Sequence, residues 1–578
     1  MNKFRDNFNT DIKEEQLGKE IKLSGWVKTI RNLGDLIFID LRDSTGIIQL
    51  VLEDKSLEAF QIAQKLHQED TITIKGILRK RKDINKKITN GHLEIDVKEL
   101  KIINEAKPIP FNIQDNVEAN EDTRLVYRYL DLRRDCMQEN LKIRHRVVKI
   151  IRDYLDENKF LEIETPILTK STPEGARDYL VPSRVNQNKY YALPQSPQIY
   201  KNLLMLSGVE RYFQIAKCFR DEDLRADRQP EFTQVDLEMA FMSEEEIRML
   251  VENMLKKIVK EIKGIEIKEK FIEMTYQDAM EKYGCDKPDT RFELFLEDVT
   301  SIFEKSQFNV FKNAEFVKLL KVEKGSEFSR KDIDNLERIA KQNHAKGLAW
   351  LKYENNEFNG PITKFLCEKE QKDLIDHLNL QGNELLLFVA DKFEIVSSSL
   401  AALRLEIGKK LNLIDETKLN FLWIVDWPMF EYDEEEGRYF AMHHPFTMPK
   451  NNEFIEPIEQ NLAQAYDVVL NGYELGGGSI RINKPVIQKQ MFDLLKMSKQ
   501  EQEQFTFLLN AYEYGAPFHG GLALGLDRLV MLLTNSESIR DVIAFPKNNK
   551  AIDLMLDAPS FVEQKLLDDL NIINKDEK

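Results

Sequence analysis

Hydrophobic and polar residues alternate strictly along Leu36-Ile37-Phe38-Ile39-Asp40-Leu41-Arg42. A strand there turns Ile37, Ile39 and Leu41 to one face and Phe38, Asp40 and Arg42 to the other. Four further runs rich in apolar and β-branched residues lie between residues 20 and 104: IKLSGWVKTIR, IIQLVLE, TITIKGILRKR and HLEIDVKELKII. Ser44-Thr45-Gly46 supplies the turn into the third strand. Leu57, Phe60, Ala63 and Leu66 then recur at helical spacing, predicting a short helix from Ser56 to Leu66. Five strands with a helix after the third predict a small Greek-key barrel, and the first domain is drawn at 1–106.

Lys107-Pro108-Ile109-Pro110 gives this barrel a stiff exit, and the acidic, polar stretch that follows reads as a hinge over 107–135. Helical periodicity is strong from Asn140 through Ile143, Val147, Ile150, Ile151 and Tyr154. It runs into Phe160-Leu161-Glu162-Ile163-Glu164-Thr165-Pro166, a strand halted by proline. Residues 288–425 carry a mixed helix–strand pattern without evident chemistry, and glycine-rich strand sequence resumes after Trp427. The simplest organisation is an α+β chain whose main domain, 136–287 and 426–560, is split by a mixed α/β insertion at 288–425. Residues 561–578 then form a C-terminal extension.

Composition narrows the class. With 578 residues, 42% hydrophobic and 31% charged, the chain has room for several globular domains. It has no apolar leader segment and no apolar run approaching the ~18–20 residues of a membrane span, so a cytoplasmic protein without membrane contact is expected. Cys136, Cys218, Cys285 and Cys367 are scattered without a CxxC pair, against both a disulfide framework and a zinc site. The net charge of −16 argues mildly against nucleic-acid binding, but Lys75 to Lys87 is strongly basic. A five-stranded barrel with an outward Phe38 near Arg31, Gln49 and Arg79 fits the oligonucleotide-binding type, in which aromatics stack unpaired bases.

The richest chemistry lies in Tyr212 to Arg225, where a strand delivers Arg220-Asp221-Glu222, and in the returning strand Gln229-Pro230-Glu231-Phe232-Thr233-Gln234. Arginine's fixed fork of donors suits a phosphate, Glu222 a divalent ion or an adenine amino group, and Phe232 a purine face. Alone, such a hairpin is more often a salt-bridged surface feature. Near the C-terminus, Gly520-Gly521-Leu522-Ala523-Leu524-Gly525-Leu526-Asp527-Arg528 leads an arginine into an apolar helix, without the order of a dinucleotide fingerprint. Lys496-Met497-Ser498-Lys499 imitates a loop of class I synthetases, but the HIGH motif that accompanies it there is absent, and it is read as coincidence.

The helix and strand ending at Pro166, the FRDE hairpin and GLGLDR resemble, in this order, the three motifs of class II aminoacyl-tRNA synthetases. The N-terminal barrel narrows the resemblance to the aspartate, asparagine and lysine branch. STPEGARDY (171–179), LPQSPQIYK (193–201), CFRDEDLRADRQPEFTQVD (218–236), AMHHPFT (441–447) and ELGGGSIR (474–481) are similar to the bacterial aspartate enzymes. The 288–425 insertion resembles theirs through GLAWLK (347–352) and AALRLEIGK (401–409).

The resemblance implies an antiparallel-sheet catalytic domain, a homodimer, and an ATP-dependent ligase that joins L-aspartate to tRNA(Asp). It implies that Arg220, Glu222 and Arg528 are catalytic. ATP would be held by Arg220, Asp221, Glu222, Gln229, Phe232, Glu474, Gly525, Leu526, Asp527 and Arg528, with Mg²⁺ on Asp467 and Glu474. Aspartate would be held by Glu174, Gln198, Lys201, Arg220, Asp236, His443, His444 and Arg481. The anticodon would meet Arg31, Phe38, Gln49 and Arg79. Asparagine- and lysine-specific enzymes, an inactive RNA-binding relative and an ATP-dependent amide-forming enzyme remain as alternatives. Leu33 leans towards strict tRNA(Asp) specificity over additional charging of tRNA(Asn).

Overall fold

Five strands, β1 (Glu20–Asn32), β2 (Ile37–Arg42), β3 (Ile47–Leu52), β4 (Thr71–Lys80) and β5 (Leu93–Asn104), close the N-terminal barrel in the order β1-β2-β3-β5-β4. The computed structural model describes residues 3–171 and 176–574, which fall in two compact units divided after Glu139. In the barrel every pairing is antiparallel except β3 with β5. The alternation read in β2 is realised, since Ile37, Ile39 and Leu41 are fully buried. The helix after β3 spans Glu58–Ala63 and buries Phe60 and Ala63 over the barrel.

Arg42 departs from its expected outward position. At the end of β2 that direction leads under the loop bearing Glu69, so the guanidinium is buried and donates to the Glu69 carboxylate at 3.1 and 2.6 Å. Arg133 donates to the same carboxylate at 2.7 Å. The 107–135 stretch is itself folded: Phe111, Ile113 and Leu130 are buried together, and fully buried Asp131 accepts from Arg128 at 2.7 Å and Arg134 at 2.9 Å. A buried carboxylate with two hydrogen-bonded partners resists opening, because losing either leaves a desolvated charge.

The second unit is built on an eight-stranded sheet. Its strand order is Ile272–Thr275, Phe421–Val425, Ala465–Leu470, Tyr473–Ile480, His519–Gly525, Glu231–Ala240, Arg211–Phe219 and Leu161–Glu162. The central pairings are antiparallel, and the two outermost are parallel. Its core runs through Trp423, Val468, Leu522 and Leu524 to Ile247, Val251, Leu255 and Ile258 of helix Glu244–Lys263. Ser243 and Glu246 form a capping box at the start of that helix, and Gly264, in the left-handed region at φ 71°, ends it.

The helix expected from Asn140 begins earlier, at Asp135, where polar residues give no apolar period. The strand expected through Pro166 is confined to Leu161–Glu162 on the sheet edge, since proline has no N–H for the ladder.

Within 288–425, strands Leu296–Asp298, Phe316–Glu323, Asn383–Asp391, Ala349–Glu354 and Glu357–Asn359 form, in that order, an antiparallel sheet. Leu385, Leu387 and Val389 pack on one face under helices Arg330–Gln342 and Phe393–Lys410, and Leu386 and Phe388 on the other with helix Glu368–Leu378. The Phe421–Val425 strand at the end of this stretch belongs to the larger sheet. Among the described residues, no helix is long and apolar enough to cross a membrane.

Candidate active site

A cavity of about 1120 Å³ opens on the larger sheet. It collects every active-site residue named from the sequence except Leu526, whose side chain turns into the core, and Glu174, which lies outside the described residues. One wall is the hairpin of Arg211–Phe219 and Glu231–Ala240, in register Phe219 to Glu231 and Cys218 to Phe232. Arg220 sits just past the first strand, its backbone N–H donating to the Pro230 carbonyl at 2.9 Å. Its guanidinium lies 5.2 Å from the Phe232 ring centre, and its Nε is buried without a hydrogen-bond partner among the described residues. A cation held this way keeps donors for an incoming anion. Glu222 is engaged by Arg228 at 3.1 Å.

Gln229 fastens a distant segment to this wall, donating to the Lys547 carbonyl at 3.0 Å and accepting from its N–H at 2.8 Å. Strand His519–Gly525 leads into helix Leu526–Leu533, which presents Arg528. Arg528 donates to the Glu474 carbonyl and, at 3.0 Å, to Asp227, a partner the sequence did not single out. Asp527 accepts from Arg144 at 2.5 Å and from the Thr233 backbone N–H at 2.8 Å. One carboxylate, on helix Leu526–Leu533, therefore ties together the helix Asp135–Glu157 and the arginine hairpin.

Asp467 and Glu474 stand on adjacent antiparallel strands with a bulge between Val468 and Val469. A Cβ at Gly477 would fall 2.2 Å from Asp467 Oδ1, so only glycine leaves that carboxylate room. Asp467 Oδ1 is buried without a partner among the described residues. Burial, then the charges of Glu474 and Asp286, push the Asp467 carboxyl well above its usual range, with Lys287 opposing. Two such carboxylates fit a hard divalent cation whose remaining ligands come from phosphate and water. Among the described residues no third His, Cys, Asp or Glu completes a protein-only cage.

Across the cavity, Lys201 on helix Gln198–Leu206 lies 2.9 Å from Asp236 and 3.2 Å from Glu238. Arg481 donates twice to Glu238, at 3.0 and 3.2 Å, and to Ser479 Oγ at 2.7 Å. Two cations and two carboxylates are thus buried together with no net charge. Burial pushes the Asp236 carboxyl up to about 6 despite Lys201. Burial would raise Glu238 too, but Arg481 and Lys201 outweigh it and hold the group at about 2. Glu238 was not foreseen; the signal was available, since it lies two residues from Asp236 and shares its face of the strand. A Cβ at Gly521 would fall 2.0 Å from Glu238 Oε2, which explains that glycine by packing rather than by approach to a nucleotide.

Asp236 Oδ2 has no partner among the described residues and remains available for a cation. Gln198 donates to Asn202 at 3.0 Å. His443 packs edge-on against Trp427 at 4.5 Å, and burial, then Arg481, lower its pKa to about 4, so its imidazole is neutral near pH 7. His444 Nδ1 accepts from the Phe446 N–H at 3.2 Å. The Lys496–Lys499 stretch has a local explanation: Ser498 and Glu501 cap a short helix, and Lys496 donates to the Gly437 carbonyl at 3.2 Å.

On the barrel, the four residues named from the sequence meet through acids that were not. Gln49 donates to Glu94 at 2.9 Å and accepts from Arg31 at 3.3 Å. Arg79 donates to Glu94 at 2.8 Å and Glu53 at 2.6 Å, and Arg31 lies 5.5 Å from the centre of the half-buried Phe38 ring.

Two family descriptions match the chain: "tRNA synthetases class II (D, K and N)" over residues 120–549 and "OB-fold nucleic acid binding domain" over residues 21–103. An aspartate–tRNA ligase of Streptococcus agalactiae is 55% identical over 569 residues, 97% of either chain. One of Macrococcus caseolyticus is 54% identical over 574 residues, again 97% of either chain. Among solved structures, asparaginyl-tRNA synthetase from Pyrococcus horikoshii, complexed with asparaginyl-adenylate, shares the fold. It has a TM-score of 0.59 at 20% identity, covering 93% of this chain and 97% of that one. The asparaginyl-tRNA synthetase of Entamoeba histolytica does likewise, with TM-score 0.58, 20% identity and coverage of 92% and 95%. With its barrel, its antiparallel sheet and these relatives, the chain belongs to the class II tRNA synthetases, in the aspartate–tRNA ligase family.

Proposed function

We propose that this protein activates L-aspartate with ATP to aspartyl-adenylate and transfers the aspartyl group to the terminal ribose of tRNA(Asp). The observation that carries the reading is the buried Lys201–Asp236–Glu238–Arg481 network, which faces the same cavity as the unpaired edge of Arg220. A carboxylate side chain is stabilised beside Lys201 and Arg481, and the free Asp236 oxygen takes the substrate ammonium. A neutral amide in that place forgoes the charge-assisted hydrogen bonds that Lys201 and Arg481 would give a carboxylate, which disfavours asparagine.

In the first step the substrate α-carboxylate attacks the α-phosphorus and pyrophosphate leaves. In the second, the ribose hydroxyl attacks the acyl carbon and AMP leaves. Neither step needs a protein nucleophile, so the chain acts through positioning and charge. Arg220 holds the α-carboxylate and the α-phosphate, Phe232 stacks on adenine, and Glu222 meets its amino group. Arg528 grips the γ-phosphate, while Gln229, Gly525 and Asp527 shape that side of the cavity. Asp467 and Glu474 would hold magnesium, which supplies charge neutralisation for the triphosphate. The same reading gives a cytoplasmic homodimer formed through the first helix and the Leu161–Glu162 edge.

The test is aminoacylation of purified tRNA(Asp) and tRNA(Asn) with radiolabelled aspartate, asparagine and lysine. Aspartate on tRNA(Asp) alone is the expected result. Aspartate on both tRNAs would make the enzyme a relaxed form, and charging with asparagine or lysine, or no charging, would overturn the proposal. For the barrel, Phe38→Ala should weaken tRNA(Asp) binding by about tenfold, the order of one lost base stack. It should leave aspartate-dependent pyrophosphate exchange unchanged, and a filter-binding titration beside the exchange assay checks both.

A further inference from the structure

Asp227 lines the same cavity as Arg528 and Glu474, and no step above uses it. Its Oδ2 accepts from Arg528 Nη2 at 3.0 Å, while Arg528 Nη1 donates to the Glu474 carbonyl. The two ends of the guanidinium fork are thus held by different elements. One is the loop after strand Arg211–Phe219, the other strand Tyr473–Ile480. Arg528 Nε is buried without a partner among the described residues.

The loop that carries Asp227 is anchored on both sides of it. Before it, the Ala226 carbonyl accepts from the Ile539 N–H and from Ser538 Oγ, each at 3.0 Å. Ser538 and Ile539 follow closely on the helix Leu526–Leu533 that bears Arg528. After it, Gln229 is bonded twice to the Lys547 backbone, at 3.0 and 2.8 Å. A carboxylate on an unanchored loop would follow the guanidinium wherever it moved. This one is fixed against the arginine's own helix and sets where the guanidinium rests. The Arg528 and Asp227 side chains are 22% and 28% exposed, so the pair is shielded enough to hold a geometry that a fully exposed ion pair would not.

Two effects of Asp227 oppose each other at a site for a polyphosphate. Its charge repels the ligand, whereas a fixed fork spares the ordering of a long side chain on binding. The second prevails, because Arg528 beside it offsets the carboxylate's charge and keeps donors to spare. Two of its N–H groups are engaged among the described residues, and the rest, Nε included, stay available to phosphate oxygens.

We propose that Asp227 is a positioning residue for nucleotide binding. It holds the Arg528 guanidinium in the pose that receives the terminal phosphate of ATP, and touches no substrate itself. Its effect is therefore confined to ligands that carry that phosphate. Once pyrophosphate has left, the adenylate gains nothing from it. The inference rests on Arg528 as the γ-phosphate contact.

The experiment measures two affinities of the full-length protein by isothermal titration. One is for ATP without aspartate; the other is for the sulfamoyl analogue of aspartyl-adenylate, which has no β- or γ-phosphate. Asp227→Ala should weaken ATP binding about five- to tenfold, the range for having to order one long side chain on binding. Affinity for the analogue should stay at the wild-type level. Asp227→Asn, which keeps an oxygen for the Arg528 N–H, should lose less than Asp227→Ala. In an Arg528→Ala background, Asp227→Ala should change nothing further. General loosening of the fold weakens both ligands, so equal losses would overturn the proposal. So would tighter ATP binding in Asp227→Ala, the mark of a carboxylate that competes with phosphate, or a loss that persists in the Arg528→Ala background. Failure of the Arg528 reading would look different: Arg528→Ala would then weaken ATP no more than it weakens the analogue.

Discussion

Arg220→Ala is expected to slow aspartate-dependent pyrophosphate exchange by at least ~100-fold, the loss typical of one preorganised donor at a site of developing charge. The effect is large because of where the strand leaves this side chain. The Arg220 N–H is fixed to Pro230, its guanidinium rests over Phe232, and its buried Nε has no partner among the described residues. A donor already desolvated needs little reorganisation when the α-phosphorus becomes five-coordinate. Losing an interaction that strengthens in the transition state, as proposed for Arg220, lowers kcat together with kcat/KM. Pyrophosphate exchange measured across aspartate concentration separates the two, and an unchanged rate would remove Arg220 from the chemical step.

Lys201→Leu is expected to reduce kcat/KM for aspartate by about 100-fold or more, the range for deleting one partner of a buried hydrogen-bonded charge pair. ATP affinity should change little, since among the described residues the Lys201 ammonium meets Asp236, Leu237 and Glu238. The substitution leaves Asp236 and Glu238 to share Arg481, so the pocket becomes net negative and repels the aspartate side chain. Discrimination against asparagine should narrow for the same reason. Equal weakening of aspartate and ATP, measured by isothermal titration with each alone, would argue against this assignment.

The features most legible in the sequence were those that a short-range pattern encodes. Alternation in β2 and helical spacing over residues 57–66 specified the barrel, because a sheet with one buried face must repeat every second residue. Leu385 to Val389 is apolar throughout since both faces of its sheet are covered, but such a run carries no information about strand order. The arginines and lysines stood out, and Asp236 with them, but several of their counter-charges did not. Glu238, Asp227 and Glu94 are ordinary acids in the sequence, and their importance comes from cations that lie far away along the chain. Gln229 and Asp527 were read for nucleotide contact, whereas their side chains also hold Lys547, Thr233 and Arg144 in place. That kind of bond leaves no local trace.

Asp527 carries a consequence for the order in which the protein matures. Its two partners, Arg144 and Thr233, emerge from the ribosome nearly four hundred and nearly three hundred residues ahead of it. The barrel strands, by contrast, are all translated by Asn104. N-terminal units fold first during synthesis, and contacts between distant residues come last. A stalled or prematurely terminated chain would thus carry a finished RNA-binding head and an unassembled catalytic centre. Such fragments would compete for tRNA without charging it, which makes quality control of incomplete chains a matter of translational fidelity as well as of waste.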